Sequence, residues 1–201
     1  AHAALRNEIL AMSALEVGGA STLKRLPATF TAAAWNLERC LFPADSAAHL
    51  AARAPSIVLL SEVDCGMART AQRNNAAEIA AALGMTYAYG VEFYEIDLGG
   101  PTERSFCTDA FNAAGWHGNA ILSAVPFEDL KLIRLPEDGY WFREGTLANT
   151  HEPRVGSRMA VAGIVPTDAG PICVVSTHLE SNAQASYRTA QMHALLDELD
   201  R

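Results

Sequence analysis

A layered α/β fold is what this sequence predicts. Two features carry the prediction: short apolar runs with strand character are intermixed with segments of helical periodicity, and three of the apolar runs end in polar or ionisable side chains. At 201 residues, half of them hydrophobic, the chain can bury a sizeable core and is short enough to form a single domain over 1–201. With 19% charged residues and no long stretch depleted in apolar side chains, the composition argues against extended disorder.

The elements follow in order. Leu5, Ile9 and Met12 fall at i, i+4 and i+7, which predicts a leading amphipathic helix within 1–19, ended by Gly18 and Gly19. Residues 29–36 read as a strand delivering Asn36 at its end, and a short helix from about Ser46 must finish at Pro55. Residues 56–63 form a continuous apolar strand interrupted by Glu62, the pattern of a strand buried on both faces. Ala76, Ile79, Ala80 and Leu83 give the next helix its apolar stripe, with Gly84 as cap, and another strand covers 86–93.

Residues 97–118, with Gly-Gly-Pro and little periodicity, describe a long surface loop of the kind that often lines active sites. Three further strands are expected at 119–123, 159–165 and 172–177, with a second irregular region over 138–156. Ser181 and Gln184 match a capping box that opens a closing helix, whose buried face is expected to carry Met192, Leu195, Leu196 and Leu199.

Charge and cysteines narrow the function classes. A formal charge of −8 without a Lys/Arg cluster disfavours a protein that tracks a long polyanion. Apolar runs such as 57–60 fall far short of the roughly 18 to 20 residues that a membrane-spanning helix needs. The first residues lack a basic-then-apolar leader, so the compartment stays open: soluble, cytoplasmic or exported. Cys40, Cys65, Cys107 and Cys173 are widely spaced without a C-x-x-C pair, which favours buried free thiols over disulfides or zinc.

The chemistry concentrates at three strand ends: Trp35-Asn36-Leu37-Glu38, Leu60-Ser61-Glu62-Val63-Asp64 and Ser176-Thr177-His178-Leu179-Glu180. A carboxylate there is costly to desolvate unless it is paired or holds a cation. A hard cation such as magnesium takes one or two carboxylates and completes its shell with water and substrate phosphate, and Glu62 fits that role. The ordinary alternatives are a turn-capping Asn36, an ion-paired Glu62 and a satisfied core His178.

Those motifs, together with Gly118-Asn119-Ala120-Ile121-Leu122-Ser123, resemble in order four motifs of the endonuclease/exonuclease/phosphatase superfamily, over roughly 29–201. The resemblance implies a DNase I-like α/β (α+β) architecture, a four-layered β-sandwich flanked by helices. It implies that Asn36 and Glu62 bind or position a divalent metal, Mg2+ or alternatively Mn2+, and that His178 contacts the scissile phosphate, making Asn36, Glu62 and His178 the catalytic candidates. It further implies a substrate-reaching arginine, for which Arg154 and Arg158 both qualify, and places Asn119 near the active-site face as a substrate contact.

Two departures from the family pattern stand out. Ser61 occupies the position before the Glu, where Gln is common. The Gly-Asp-Phe-Asn and Ser-Asp-His motifs that normally follow do not occur before Arg201, so the fold is expected to be incomplete at its C-terminus and this stretch inactive by itself.

The implied activity is metal-dependent hydrolysis of a phosphodiester or phosphomonoester, with a small-molecule substrate favoured by the acidic charge. A nuclease acting on DNA or RNA, and a catalytically inactive binding protein of the same fold, are the alternatives. His2, His49, His117, His151 and His193 lack metal-ligand spacing and read as surface or loop residues, although His117 beside Gly118 and Asn119 is a further substrate-contact candidate. Tyr94, Glu95 and Asp97 read as a solvated acidic rim. Asp64 and Glu180 are candidates to back Glu62 and His178 by strand alternation, and Gln191 or Arg188 to orient the strand end that bears His178.

Overall fold

The computed structural model describes residues 2–136 and 154–201. Two sheets pack face to face, with helices on both outer sides. The larger sheet contains β1 (Leu15–Gly19), β2 (Ala32–Arg39), β3 (Ile57–Cys65), β4 (Thr86–Glu95), β5 (Trp116–Ser123) and β7 (Arg154–Gly156). Its order is β1-β4-β5-β3-β2, with β7 also pairing β4. The smaller sheet runs β6 (Asp129–Arg134), β8 (Met159–Val165), β9 (Ile172–Thr177). Among the described strands only β2 and β3 pair in parallel, joined by α2 (Pro43–Ala51) as a βαβ crossover.

Burial follows strand alternation and defines four layers. On one face of the larger sheet, Val58, Leu60, Tyr89, Ala120 and Leu122 pack against Ala47 and Leu50 of α2 and against Ala76, Ile79 and Ala80 of α3 (Asn75–Leu83). On the other face, Ala88 and Ile121 meet Met159 and Val161 of the second sheet. Beyond that sheet, Ile133, Ala160 and Ala162 receive Leu195 of α5 (Ala185–Leu199). Helix, sheet, sheet and helix are thus stacked as the four-layered sandwich that the motifs implied. Ser176 Oγ ties the two sheets by donating to the Leu60 carbonyl at 2.7 Å.

Several elements differ from the sequence reading. The leading helix α1 (His2–Glu8) is followed by a single 3-10 turn, Leu10–Met12, while Leu15–Gly19 forms an edge strand on β4. Val17, Gly18 and Gly19 are poor helix formers, and Gly19 at φ 75° lies where a Cβ would meet the Met85 carbonyl oxygen at 2.2 Å. β2 continues past Asn36 to Arg39. α2 begins earlier than expected, with Pro43 in its first turn.

The loop after β4 contains the short helix α4 (Pro101–Arg104). β6 was not anticipated. Its period-2 signal is brief, with Leu130 and Leu132 facing the other sheet and Lys131 and Ile133 facing α5. Most of the irregular region 138–156 and His151 lie outside the described residues, and its end forms β7.

Gln184, not Ser181, caps α5, and it does so without a side-chain bond. The helix buries Gln191 and Leu195, leaving Met192 38% and Leu196 50% exposed. Gln191 sets this rotation because it is bonded on both sides, as described below. The four cysteines are free, but only Cys40 is fully buried and Cys173 is exposed. Among the described residues, no helix is long and apolar enough to cross a membrane.

Close backbone approach fixes one glycine. A Cβ on Gly118 would lie 1.9 Å from the Gly90 carbonyl oxygen and 3.2 Å from the Glu92 nitrogen, neither of which can move without parting β4 from β5. Gly118→Ala is therefore expected to cost about 1–3 kcal/mol in urea denaturation, and an unchanged midpoint would refute the constraint.

Candidate active site at the strand ends

Two bulges shape the site. Between β3 and β5 the register jumps from Leu60↔Ala120 to Val63↔Gly118, and between β2 and β3 from Asn36↔Ser61 to Arg39↔Val63. Both irregularities centre on Glu62, whose backbone is left-handed at φ 58°. A bulge re-aims a side chain at a sheet end, and here it turns Glu62 toward Asn36 and His178. The chain leaving β2 is contorted as well, with Glu38, Arg39 and Cys40 at φ 45°, 77° and 59°.

From Glu62 a continuous chain of polar contacts runs across both sheets. Asn36 Nδ2 donates to Glu62 Oε1 at 2.8 Å, and Asn36 Oδ1 accepts from the Glu38 N–H at 3.0 Å. His178 Nε2 lies 3.2 Å from the same Glu62 oxygen. Arg39 places Nη1 3.2 Å from Glu62 Oε2 and Nη2 3.2 Å from Glu103 Oε1.

Behind His178, Arg158 Nη1 lies 2.9 Å from Nδ1 and 2.6 Å from Glu92 Oε1, while Arg158 Nε reaches Glu180 Oε2 at 3.4 Å. Asn119 Nδ2 in turn donates to Glu92 Oε2 at 3.2 Å. Because a guanidinium only donates, His178 Nδ1 is the acceptor and Nε2 carries the proton directed at Glu62.

Electrostatics agree with this wiring. The Glu62 carboxyl is held down at about 2, chiefly by its hydrogen bond from His178, against desolvation and with help from Asn36. The His178 pKa is raised, first by Glu62, while desolvation and the Arg158 charge oppose the rise. Opposite charge and hydrogen bonding to the ionised form thus outweigh burial at both groups.

Five of the six site residues expected from sequence, Asn36, Glu62, His178, Asn119 and Arg158, belong to this one chain of contacts. The sixth is Arg154, on β7. Its guanidinium sits 4.6 Å from the centre of the Phe93 ring, while Arg158 is the one seen against His178. Asn119 is fully buried and reaches the site through Glu92, with its Oδ1 lacking a partner among the described residues.

Arg39, Glu92 and Glu103 were not singled out from sequence. Arg39 and Glu92 lie on strands whose bulges and long-range pairing bring them in, and no local pattern marks them. Glu180 does back the site, as alternation suggested. Gln191, rather than Arg188, holds the strand end, its Oε1 accepting the Glu180 N–H at 2.9 Å and its Nε2 donating to the Pro136 carbonyl at 3.2 Å. Arg188 instead donates to the Ala183 carbonyl at 2.5 Å.

Asp64 serves a different, fully buried cluster. Arg69 Nε and Nη2 donate to its two oxygens at 2.6 and 3.0 Å, and His117 Nδ1 lies 2.7 Å from Oδ1. Glu95 closes the cluster on Arg69 Nη1 at 2.8 Å. The sequence reading of His117 as a loop histidine and of Glu95 as solvated rim is therefore corrected: both are buried, and the His117 ring stacks on Phe93 at 4.5 Å. The bulges decouple Asp64 from Glu62, which simple alternation had placed on one side.

For a metal, the donor set is small. Among the described residues no three His, Cys, Asp or Glu side chains form a ready cage. Among the described residues Glu62 Oε2 accepts from Arg39 and keeps a lone pair. One open carboxylate position fits a hard cation that draws its remaining ligands from water and phosphate.

The fold and site define a two-sheet α/β protein with a polar, partly ionised constellation at its strand ends. No family profile and no curated protein match the chain. A crystal structure of a humanized D. rerio TDP2, altered by 14 mutations, is 16% identical, with a TM-score of 0.45 over 84% of this chain and 55% of that one. The chain thus spans little more than half of that structure's length, and a likeness at this level assigns no activity.

Proposed function

We propose that the strand-end constellation is the site of a divalent-metal-dependent phosphate-ester hydrolase, in which water attacks phosphorus in line. The observation that carries this reading is the unbroken chain Asn36–Glu62–His178–Arg158–Glu92–Asn119, which gathers an amide, a carboxylate, an imidazole with an assigned proton and a guanidinium at one place. Glu62 would hold Mg2+ or Mn2+, with Asn36 beside it. When bound, the ion supplies charge stabilisation to the phosphoryl oxygens.

The chain's own residues bind and orient the ester and the water. Arg158 fixes the His178 ring and its tautomer, so that Nε2–H is ready to donate to a phosphoryl oxygen that displaces Glu62 as its acceptor. Asn36 orients Glu62 through Nδ2 and leaves Oδ1 free to accept a second hydrogen bond, from the attacking water. The net charge of −8 favours a small ester over a polynucleotide.

One contact favours a second reading, a phosphate-binding protein of this fold without catalysis: Arg39 already sets a cation against Glu62. Turnover decides between them. The full-length protein should hydrolyse a generic phosphodiester or phosphomonoester with magnesium or manganese and stop in EDTA, with DNA competing weakly. No turnover from folded, metal-supplemented protein would leave the binding reading, and strong competition by DNA would make it a nuclease.

A further inference from the structure

Two arginines of this molecule each bridge two carboxylates, and they are held in opposite ways. Arg69 is locked: Nε and Nη2 donate to Asp64 at 2.6 and 3.0 Å, Nη1 lies 2.8 Å from Glu95, and the side chain is 2% exposed. Arg39 is loose by comparison. Its contacts from Nη1 to Glu62 Oε2 and from Nη2 to Glu103 Oε1 are both 3.2 Å, its Nε is buried without a partner among the described residues, and its side chain is 20% exposed. A guanidinium with long ion pairs and an unsatisfied donor gives up less on moving than one whose donors are all engaged.

The backbone beneath Arg39 is the fixed part. Its φ of 77° lies within the left-handed run Glu38–Cys40, and three hydrogen bonds hold that run: Glu38 N–H to Asn36 Oδ1 at 3.0 Å, Cys40 N–H to the Leu37 carbonyl at 3.0 Å and Asn75 Nδ2 to the Cys40 carbonyl at 2.9 Å. The side chain instead borders a cleft of about 400 Å³ that Glu103 also lines, so the guanidinium has room to swing away from Glu62 while its Cα stays where it is.

The two oxygens of Glu62 are served differently. Oε1 is taken up by Asn36 Nδ2 at 2.8 Å and His178 Nε2 at 3.2 Å, and Arg39 is the contact on Oε2, the oxygen with a lone pair to spare for a cation. A divalent ion on Oε2 would stand beside a guanidinium of like charge, and in a partly buried site that repulsion is screened much less than in water.

We propose that Arg39 and a divalent ion compete for Glu62 Oε2, and that Glu103 keeps the guanidinium when the ion binds, so that the Arg39–Glu103 pair sets the metal affinity of the site. The proposal rests on the metal-dependent reading above and adds a positioning pair to it. Glu103 lowers the cost of loading because a displaced Arg39 still has a carboxylate partner and is not left as an unpaired charge.

The test is isothermal titration of the full-length protein with manganese chloride alone, for wild type, Arg39→Gln, Arg39→Lys, Glu103→Gln and the variant carrying both glutamines. Arg39→Gln should bind the ion at least about tenfold more tightly, the effect of removing one close charge, and Arg39→Lys, which keeps the charge, should bind more weakly than Arg39→Gln. Glu103→Gln should bind at least about tenfold more weakly, and that loss should vanish in the double variant, where Glu103 has no guanidinium to receive. A loss of the same size in both backgrounds would mean that Glu103 acts through its own charge, and it overturns the proposal. Unchanged affinity in Glu103→Gln, or an Arg39→Gln affinity no higher than wild type, overturns it as well while leaving a metal at Glu62 standing. If Glu62→Gln binds manganese as tightly as wild type, or if neither wild type nor Arg39→Gln binds it, the metal reading itself fails and takes this inference with it.

Discussion

Replacing Arg69 by methionine is expected to destabilise the fold by about 3–5 kcal/mol, the loss that follows when one partner of a buried ion pair is removed. Arg69, Asp64 and Glu95 have side chains no more than 2% exposed, and a single guanidinium serves both carboxylates. Methionine fills similar space but leaves two carboxylates in the interior with only His117 to answer Asp64. Asp64 and His117 are also cross-strand neighbours in the β3–β5 ladder just beyond the bulge, so the damage falls where the sheet is irregular.

The pH dependence has a defined sign. Hydrogen bonds from His117 and Arg69 outweigh desolvation and hold the Asp64 carboxyl below its ordinary value. A carboxylate whose folded pKa is depressed contributes stability above its unfolded pKa, near 4, and loses it as pH falls below that. The gap between wild type and Arg69→Met should accordingly be full at neutral pH and narrow below about pH 4. Urea unfolding at two pH values measures both, and a neutral-pH loss under about 1 kcal/mol would sink the account.

The second large effect is on turnover. Glu62→Gln preserves size and can still accept from His178, but it removes the carboxylate that contacts Asn36, Arg39 and His178 together. In the proposed hydrolase a bound metal and the imidazole would both lose their charged partner, and the turnover number is expected to drop by about a hundredfold or more. His178→Ala, which removes a donor held in place by Arg158, should fall in the same range. Glu62 is half-buried at a surface strand end, so near-wild-type unfolding of both variants would separate a site effect from a folding one. Retention of a tenth of the activity by Glu62→Gln would overturn the proposal that Glu62 holds the metal.

What was legible in the sequence depended on the range of the signal. Ile57–Leu60, Tyr87–Val91 and Ala160–Val165 are apolar runs whose strand character is local, and Gly84 caps α3 at φ 65° as its position foretold. Asn36, Glu62 and His178 were recognisable because each ends a run in a family-like motif. β1 was misread because an amphipathic stripe at Leu5, Ile9 and Met12 says nothing of the edge that Leu15–Gly19 can pair with. β6 was missed because its alternation lasts only six residues.

The sequence by itself determined the layered α/β class, most of the buried strands and the identities of the polar residues that meet at the strand ends. Only the tertiary structure decided that Arg158 contacts His178, that Arg39 and Glu103 flank Glu62, and that Asp64 and His117 belong to a buried cluster of their own. The reason is physical. Apolar periodicity is written over a few consecutive residues, whereas a polar contact depends on sheet register and on where a bulge shifts it, and partners 20 to 66 residues apart are aligned only once both sheets have packed.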